Sequence, residues 1–237
     1  MEPVIRNFKS LTLPEGRGAK LIGLEDQSPT TNVTFFEDRP DGKSVVHVHP
    51  WEHMVYIIKG SSTLVSDDKK YPIKEGDAIY IPSNVNHYFL NNGGQGVVRR
   101  IMINALVAAQ RHGPGDTKAM KGTGEPPIIR KYQDLRARIT SPLVTKNATV
   151  NYSVVYGELA PGGVSQPKSG GHTHSWEHVV YIIGGEGKLT CGGKEYEVSE
   201  GDSILIPSDI HHQWINGPKE VFKRLTINPL VPGASDG

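Results

Sequence analysis

The segment HVHPWEHMVYIIKG at residues 47–60 returns as HTHSWEHVVYIIGG at residues 172–185. The correspondence continues without a gap through the Glu-Gly-Asp triplets at 75–77 and 200–202 and the Ile-Pro-Ser triplets at 81–83 and 206–208. It ends at the matching stretches RIMIN (100–104) and RLTIN (224–228). A repeated unit as long as a small domain indicates tandem duplication of a closed fold, because two units of an open solenoid would be too few to be stable.

The apolar runs of both repeats are short, rich in β-branched residues and separated by turn formers; the chain has 27 Gly and 17 Pro. Such runs predict many short strands, and their close spacing favours an antiparallel sandwich or barrel. We therefore predict an all-β chain with barrel 1 at residues 30–104 and barrel 2 at residues 150–228. The remaining segments are an N-terminal arm (1–29), a linker (105–149) with a short helix (YQDLRARI) and an edge strand (PPIIRKYQ), and a C-terminal tail (229–237).

The charges of the chain are balanced: 26 basic and 25 acidic residues give a formal charge of +1, with no long run of either sign. This balance argues against binding to nucleic acid or to an anionic membrane, so we expect a small-molecule partner. The single cysteine, Cys191, cannot form an intrachain disulfide, and the first residues contain no apolar stretch typical of a secretion signal. We expect a cytoplasmic location, and a homodimer is left open.

Eight of the ten histidines lie in the two repeats, each time as H-x-H-x3-H followed by a fourth histidine. Residues two apart on a strand point to the same side, so four imidazoles of one repeat can converge inside a barrel. A core histidine satisfied by hydrogen bonds is the alternative for each one taken singly. Four together suit a divalent transition metal, namely Fe, Mn, Ni, Co, Cu or Zn, and not Ca or Mg. We expect two ions per chain, held by His47, His49, His53 and His87 and by His172, His174, His178 and His212.

Two motifs resemble the signatures of the cupin superfamily: G-x4-H-x-H-x3-H-x6-G at 42–60, and G-D-x4-P-x4-H at 76–87 and 201–212. The resemblance implies two tandem double-stranded β-helix barrels, jelly-roll-like in form, as in the two-domain bicupins. It also implies a metal site inside each barrel. Cupins include dioxygenases, decarboxylases, isomerases, lyases, cyclases and non-enzymatic binding proteins, so the resemblance alone does not choose an activity.

The chain departs from the usual cupin ligand set of three histidines and one glutamate, because His53 and His178 stand at the glutamate position. It therefore resembles the four-histidine variant of the family. A slipped strand register, which would bring Glu52 and Glu177 to the metal instead, is the alternative. Replacing a carboxylate by an imidazole leaves a dicationic site, which favours anionic substrates.

Alternation along the strands also predicts which residues surround each metal. The expected pocket is mostly apolar, although the same residues could simply fill a barrel. Trp51 and Trp176 lie in the turn beside the third ligand, where closure of the barrel end is the favoured role. No residue is assigned as a catalytic acid or base. The predicted pocket residues are Val55, Ile57, Phe89, Asn91, Val180, Ile182, Trp214 and Asn216.

These features lead to three functional hypotheses. The first is a metal-dependent dioxygenase, an oxidoreductase that acts on a small oxygenated molecule such as an organic acid or a carbonyl compound. The second is a non-redox isomerase, lyase or cyclase in which the metal is a Lewis acid. The third is a non-catalytic bicupin that binds metal or a small ligand. Enzymes are favoured over the binding protein, because a closed structural site is more often tetrahedral zinc.

Overall fold

A computed structural model describes residues 2–13, 18–28, 30–92, 96–106, 125–131, 140–144 and 151–230. The regular elements are almost all strands, as predicted, with two 3-10 turns at Phe8–Ser10 and Leu24–Asp26. The strands are β1 (Val4–Asn7), β2 (Ala19–Ile22), β3 (Thr31–Asp38), β4 (His53–Lys59), β5 (Ser61–Ser66), β6 (Lys69–Lys74), β7 (Asp77–Ile81), β8 (His87–Leu90), β9 (Val98–Ala105), β10 (Ile128–Lys131), β11 (Thr140–Val144), β12 (Tyr152–Leu159), β13 (His178–Gly184), β14 (Glu186–Cys191), β15 (Lys194–Ser199), β16 (Asp202–Ile206), β17 (His212–Asn216) and β18 (Phe222–Pro229).

Each barrel consists of a six-stranded and a three-stranded antiparallel sheet. In barrel 1 the strand orders are β10-β7-β4-β9-β3-β2 and β6-β5-β8. In barrel 2 they are β1-β16-β13-β18-β12-β11 and β15-β14-β17. The corresponding strands of the two repeats therefore occupy corresponding places, which is the tandem two-barrel architecture expected from the sequence.

The outermost strand on one edge of each large sheet comes from a segment that precedes the other barrel in sequence. Strand β1 pairs with β16, and β10 pairs with β7. Accordingly, one compact unit comprises Met1–Leu11, Leu21–Ser28 and Leu135–Gly237, and the other comprises Thr12–Lys20 and Pro29–Asp134. Covering the exposed edge of a sheet in this way removes a row of unpaired backbone groups. The predicted helix YQDLRARI lies outside the described residues.

The interior of each barrel is filled by alternate residues of the central strands. Val55 and Ile57 of β4 face inward in barrel 1, and Val180 and Ile182 of β13 do so in barrel 2. One residue in two points inward because side chains alternate across a strand. The apolar cores also contain Leu64, Ile73, Ile79, Ile81, Phe89, Val98 and Met102 in barrel 1, and Leu159, Leu189, Cys191, Val198, Ile204, Ile206, Trp214 and Phe222 in barrel 2.

Candidate metal centres

In both barrels the corresponding histidines occupy the same places in the fold. The third ligand is the first residue of β4 or β13, and the fourth is the first residue of β8 or β17. The first ligand is held by backbone pairing with the fourth: the His47 and His87 amides donate to each other's carbonyls at 3.3 and 3.0 Å. His172 and His212 do the same at 3.1 and 3.0 Å. The strand pairing therefore fixes where these side chains start.

The imidazoles of each set converge. In each cluster one nitrogen from every histidine lies within 4.8 Å of those of the other three. The Nε2 atoms of His49 and His53 are 2.6 Å apart, as are those of His174 and His178. That separation is short for a hydrogen bond between neutral rings. Convergence of four ring nitrogens on one point is the arrangement expected of a metal-binding site.

In barrel 1 all four rings are oriented by a bond from Nδ1. Because a backbone carbonyl only accepts, the Nδ1–H groups of His47, His49 and His87 must donate to Val45, Trp51 and Val85, at 2.8, 2.7 and 2.8 Å. This tautomer leaves each Nε2 lone pair free for a metal.

The remaining ring of barrel 1, that of His53, is held by a side chain. Its Nδ1–H donates to the Asn104 Oδ1, and the Asn104 amide nitrogen donates to Asn32 at 3.0 Å. Asn104 lies opposite His53 in the strand pairing, so the contact follows from the register. Asn104 is not among the site residues predicted from sequence, although its place in the repeated RIMIN and RLTIN stretches is a signal that points to it.

Barrel 2 lacks the corresponding chain of contacts. His174 and His212 donate from Nδ1 to the carbonyls of Trp176 and Ile210 at 2.6 and 2.9 Å. The His178 Nδ1, however, is buried without a hydrogen-bond partner among the described residues, and so are the Asn228 Oδ1 and the Ser153 Oγ. Ser153 pairs with Asn228 as Asn32 pairs with Asn104. The His172 Nδ1 likewise has no partner among the described residues, whereas the His47 Nδ1 bonds Val45. The two centres therefore share their ligands but differ in how the first and third ligands are held.

Burial favours the uncharged form of the more deeply buried histidines in both clusters. Loss of hydration, followed by repulsion from neighbouring rings, lowers the pKa of His87 to about 3 and that of His49 to about 4. Burial likewise lowers the pKa of His212 to about 4, and the pKa values of His53 and His178 lie well below their usual value. Neutral imidazole is the form that binds metal.

A divalent transition-metal ion fits both clusters. The Nε2 atoms of His87 and His212 are buried and find no hydrogen-bond partner among the residues described. Leaving such a group unsatisfied is costly. An ion at the point where the four rings meet would bind these lone pairs, and an all-imidazole donor set suits a transition metal.

The alternative register does not occur. His53 belongs to the cluster, whereas Glu52, the residue before β4, is buried outside it, and its charge contributes to raising the pKa of Tyr80. In barrel 2, His178 likewise belongs to the cluster and Glu177 does not. The four-histidine sets are therefore the ones that the structure brings together.

The two tryptophans beside the third ligand have a more specific place than closing the barrel. Trp51 stacks on His49 with ring centroids 4.3 Å apart and an interplanar angle of 6°. Trp176 stacks on His174 at 4.4 Å and 10°. Both rings cover one face of a ligand imidazole, so they shield the cluster and restrict rotation of the ligand.

A cavity of about 410 Å³ reaches the barrel 1 cluster through His47, which is half-buried. Of the predicted pocket residues in barrel 1, Phe89 lines this cavity, together with Phe36, Met102 and Arg100, whereas Val55 and Ile57 pack inside the core. In barrel 2, Val180, Ile182 and Trp214 likewise belong to the core cluster.

Strand alternation predicts that the amides of Asn91 and Asn216 lie in the pocket beside the metal. In the structure these amides instead bond backbone carbonyls of other segments, so this prediction is wrong. The Asn91 amide nitrogen donates to the carbonyls of Asp38, Arg39 and Gly96. Asn216 donates to those of Leu159, Ala160 and Glu220. Each amide satisfies three carbonyls of nearby chain segments, so its role is to hold those segments in place.

Comparison with known proteins agrees with this architecture. Two segments, residues 34–104 and 155–228, match the family model described as the cupin domain. The chain belongs to the cupin family. Each of its two barrels carries one cupin domain, so the protein is a bicupin. No helix among the described residues is long and apolar enough to cross a membrane.

Two relatives match short segments of this cupin. Protein SchB of Streptomyces halstedii is 36% identical over 56 residues, which is 23% of this chain and 41% of that protein. An uncharacterized protein of Methanocaldococcus jannaschii is 36% identical over 52 residues, covering 22% of this chain and 42% of that protein. The matches thus span about two fifths of these relatives.

Several solved structures share the fold at low sequence identity. A cupin 2 conserved barrel domain protein from Leptotrichia buccalis has a TM-score of 0.68 and 18% identity, and covers 95% of both chains. Salicylate 1,2-dioxygenase from Pseudaminobacter salicylatoxidans has a TM-score of 0.76 and 12% identity, with 96% of this chain and 84% of that chain covered. A variant of Bacillus subtilis oxalate decarboxylase has a TM-score of 0.69 and 14% identity, with coverage of 95% and 76%.

Proposed function

We propose that this bicupin is a metal-dependent oxidoreductase of the dioxygenase type that acts on a small oxygenated organic molecule. The observation that carries the proposal is the contact between the barrel 1 cluster and its cavity. His47 belongs to the cluster and also lines the cavity of about 410 Å³. A small molecule in the cavity can therefore approach the ion, whereas a purely structural site would be closed.

The bound ion would supply Lewis acidity and, if it is iron, the capacity to react with O2. His47, His49, His53 and His87 would hold it as neutral ligands, which leaves its double positive charge uncompensated. With four ligands from the protein, such an ion would still be able to bind a small substrate. Trp51 limits the access of water to one side of the ligand His49.

The cavity walls suit a partly aromatic or alkyl molecule. Phe36, Phe89 and Met102 present apolar surface, and Arg100 lies between the two phenyl rings, at 4.4 and 4.3 Å from their centroids. Among the solved structures with this fold, the salicylate dioxygenase has been determined with gentisate. That likeness supports an oxygenated aromatic molecule as one candidate substrate.

The acidic residues of the cavity favour oxidation over proton-transfer chemistry. Glu37 pairs with Arg99 at 2.8 Å, and Asp38 pairs with Arg100 at 2.7 Å. Both carboxylates are engaged in ion pairs with a guanidinium group, so neither is free to take a proton from a substrate. Isomerases and lyases need a base to remove a proton, so a dioxygenase is the better match to these residues.

The experiment measures metal content and O2 consumption of the same preparation. Protein purified without added metal is analysed for Fe, Mn, Co, Ni, Cu and Zn, and O2 uptake is then recorded with hydroxyaromatic acids, hydroxy acids and β-diketones. We expect iron and uptake that depends on one substrate class. The His49→Ala variant should reduce both, and His211→Ala, which changes a histidine outside both clusters, should reduce neither.

Turnover of a substrate without O2 uptake, by protein that contains zinc or manganese, would contradict the dioxygenase and support a Lewis-acid isomerase, lyase or cyclase. Metal-loaded protein that binds but never converts the compounds would instead indicate a binding protein.

A further inference from the structure

The two barrels carry an arginine at the same interior position, but only the arginine of barrel 1 is paired with an acidic residue among the described residues. Arg100 on β9 lies between Phe36 of β3 and Ile57 of β4. Arg224 on β18 lies between Gly157 of β12 and Ile182 of β13. These strands correspond in the repeat, so the two guanidinium groups began as copies of one another.

In barrel 1 the arginine is neutralised by the protein. The Arg100 Nε donates to Asp38 at 2.7 Å and its Nη2 at 3.2 Å, and the guanidinium lies between the rings of Phe36 and Phe89. Only the Nη1 lacks a partner among the described residues. The charge of Arg100 is thus balanced without a ligand.

In the described part of barrel 2, neither the acidic partner nor the ring that corresponds to Phe36 is present. In barrel 1, Asp38 pairs with Val98, two residues before Arg100. In barrel 2, the residue at the corresponding place is Leu159, which pairs with Phe222, two residues before Arg224. Gly157 stands where barrel 1 has Phe36, and a Cβ added there would lie 3.2 Å from the Arg224 Cζ. The guanidinium therefore rests on bare backbone, with the Trp214 ring 5.5 Å away.

The charge of Arg224 is left without compensation in the described structure. The residue is only 7% exposed, and its Nε and Nη1 have no hydrogen-bond partner among the described residues. Burial lowers its pKa to about 10, so it stays protonated at neutral pH. Burying an unpaired charge is expensive, and the usual remedy is an anion that accepts its hydrogen bonds.

Arg224 lies in the same barrel interior as the metal centre. Residues two apart on β18 share a face, so Arg224 points to the same barrel interior as Asn228, the counterpart of the residue that holds the third ligand in barrel 1. Its positive charge is also felt by the ligands His172 and His178. An anion paired with Arg224 would lie within the barrel that contains this cluster.

We propose that barrel 2 binds a small carboxylate through Arg224, whereas barrel 1, in which Asp38 occupies the guanidinium, does not select for an anion. This inference rests on the proposed function, because it assigns a substrate class to one of the two metal-containing barrels. The guanidinium is well suited to the task, since its donors match the two oxygens of a carboxylate. Arg224 is then a specificity-determining residue, and the duplicated barrels have diverged in the charge of the ligand that they accept.

The test measures binding rather than turnover, so it does not depend on O2 chemistry. Benzoate and its uncharged analogue benzamide are titrated calorimetrically into the Zn(II)-loaded full-length protein. We expect one benzoate per chain and much weaker binding of benzamide. Arg224→Gln should weaken benzoate binding by about 10- to 100-fold, the loss expected for hydrogen bonds to a charged group.

Two exchanges between the barrels provide matched variants. Leu159→Asp places in barrel 2 the acidic residue of barrel 1, and it should weaken benzoate binding as much as Arg224→Gln does. Asp38→Leu makes the opposite exchange and should create a second benzoate site by freeing Arg100. Because the second variant gains a site, it remains informative even if Leu159→Asp does not fold.

Benzoate binding to the wild-type protein weaker than about 10 mM, or equal binding of benzoate and benzamide, would overturn the proposal. So would unchanged affinity in Arg224→Gln, or an Asp38→Leu variant that still binds one benzoate. Failure of the proposed function would appear separately, as missing metal or missing O2 uptake in protein that still binds benzoate through Arg224.

Discussion

Removal of the Asn104 side chain should weaken metal binding in barrel 1, while removal of its counterpart Asn228 should not affect barrel 2. The Asn104 Oδ1 accepts the Nδ1 proton of His53 and so fixes that ring with Nε2 toward the cluster. The Asn228 Oδ1 and the His178 Nδ1 make no such contact with any residue that the structure describes. Loss of an outer contact to a ligand histidine typically costs 10- to 100-fold in affinity, or about 1.4–2.8 kcal/mol.

The assay is competition for Zn(II) against a chromogenic chelator, with one centre present at a time. The double variant His172→Ala/His212→Ala retains the barrel 1 cluster, and His47→Ala/His87→Ala retains that of barrel 2. In the first background Asn104→Ala should lower the affinity by the factor above. Asn104→Asp should restore it, since a carboxylate also accepts the Nδ1 proton.

If Asn104→Ala bound Zn(II) as tightly as its parent, Asn104 would not hold His53 for the metal. An Asn228→Ala variant that lost as much Zn(II) affinity in the second background as Asn104→Ala does in the first would contradict the difference between the barrels. Thermal unfolding of each variant without metal separates a local effect on His53 from general destabilisation, because Asn104 also bonds Asn32.

Three further outcomes are expected. The metal-free protein should lose stability as the pH falls below about 6.5, because histidines of the unfolded chain then bind protons, whereas buried ligands such as His87, with a pKa of about 3, stay neutral in the folded state. Each such residue lowers the free energy of unfolding by up to about 1.4 kcal/mol per pH unit. Equal urea midpoints at pH 7 and pH 5 would contradict this expectation. The buried Cys191 thiol, whose pKa is raised by burial, should react with a thiol reagent only upon unfolding, and rapid modification of the native protein would argue against its placement. Gly201→Ala should destabilise the protein by at least about 1 kcal/mol more than Gly193→Ala. Both positions have positive φ, but only at Gly201 would the new Cβ meet another side chain, 2.7 Å from Phe8; equal melting temperatures would count against the packing of the N-terminal arm.

The two groups of histidines that lie together in the structure could be predicted from sequence, because their convergence depends only on local geometry and on the repeat. His47 and His49 share a face since they are two apart, and the choice of His53 over Glu52 follows from the alternation of β4. The all-β, two-barrel architecture was accessible for the same reason. Short runs of β-branched residues between turns form short strands, and such strands bury their apolar side chains by packing into a sandwich or a barrel.

The properties that distinguish the barrels depend on partners far apart in sequence. Asn91 and Asn216 alternate with a ligand, yet their amides are taken up by carbonyls of other segments, whose positions no strand pattern reveals. The difference between Arg100 and Arg224 lies in Asp38 and Leu159, on strands that precede the gapless block of the repeat. The pairing of β1 with β16 was likewise not predicted, although EPVIRN at 2–7 resembles PPIIRK at 126–131.

Metal stoichiometry distinguishes two metal centres from two groups of core histidines. The full-length protein is saturated with Zn(II), freed of excess ion by gel filtration and analysed by mass spectrometry for metal per chain, alongside His49→Ala, His174→Ala and the double variant. Two independent four-histidine centres predict two ions in the wild type, one in each single variant and none in the double variant. A wild-type protein that retains no ion, or a double variant that still retains two, would contradict the assignment of these histidines as metal ligands.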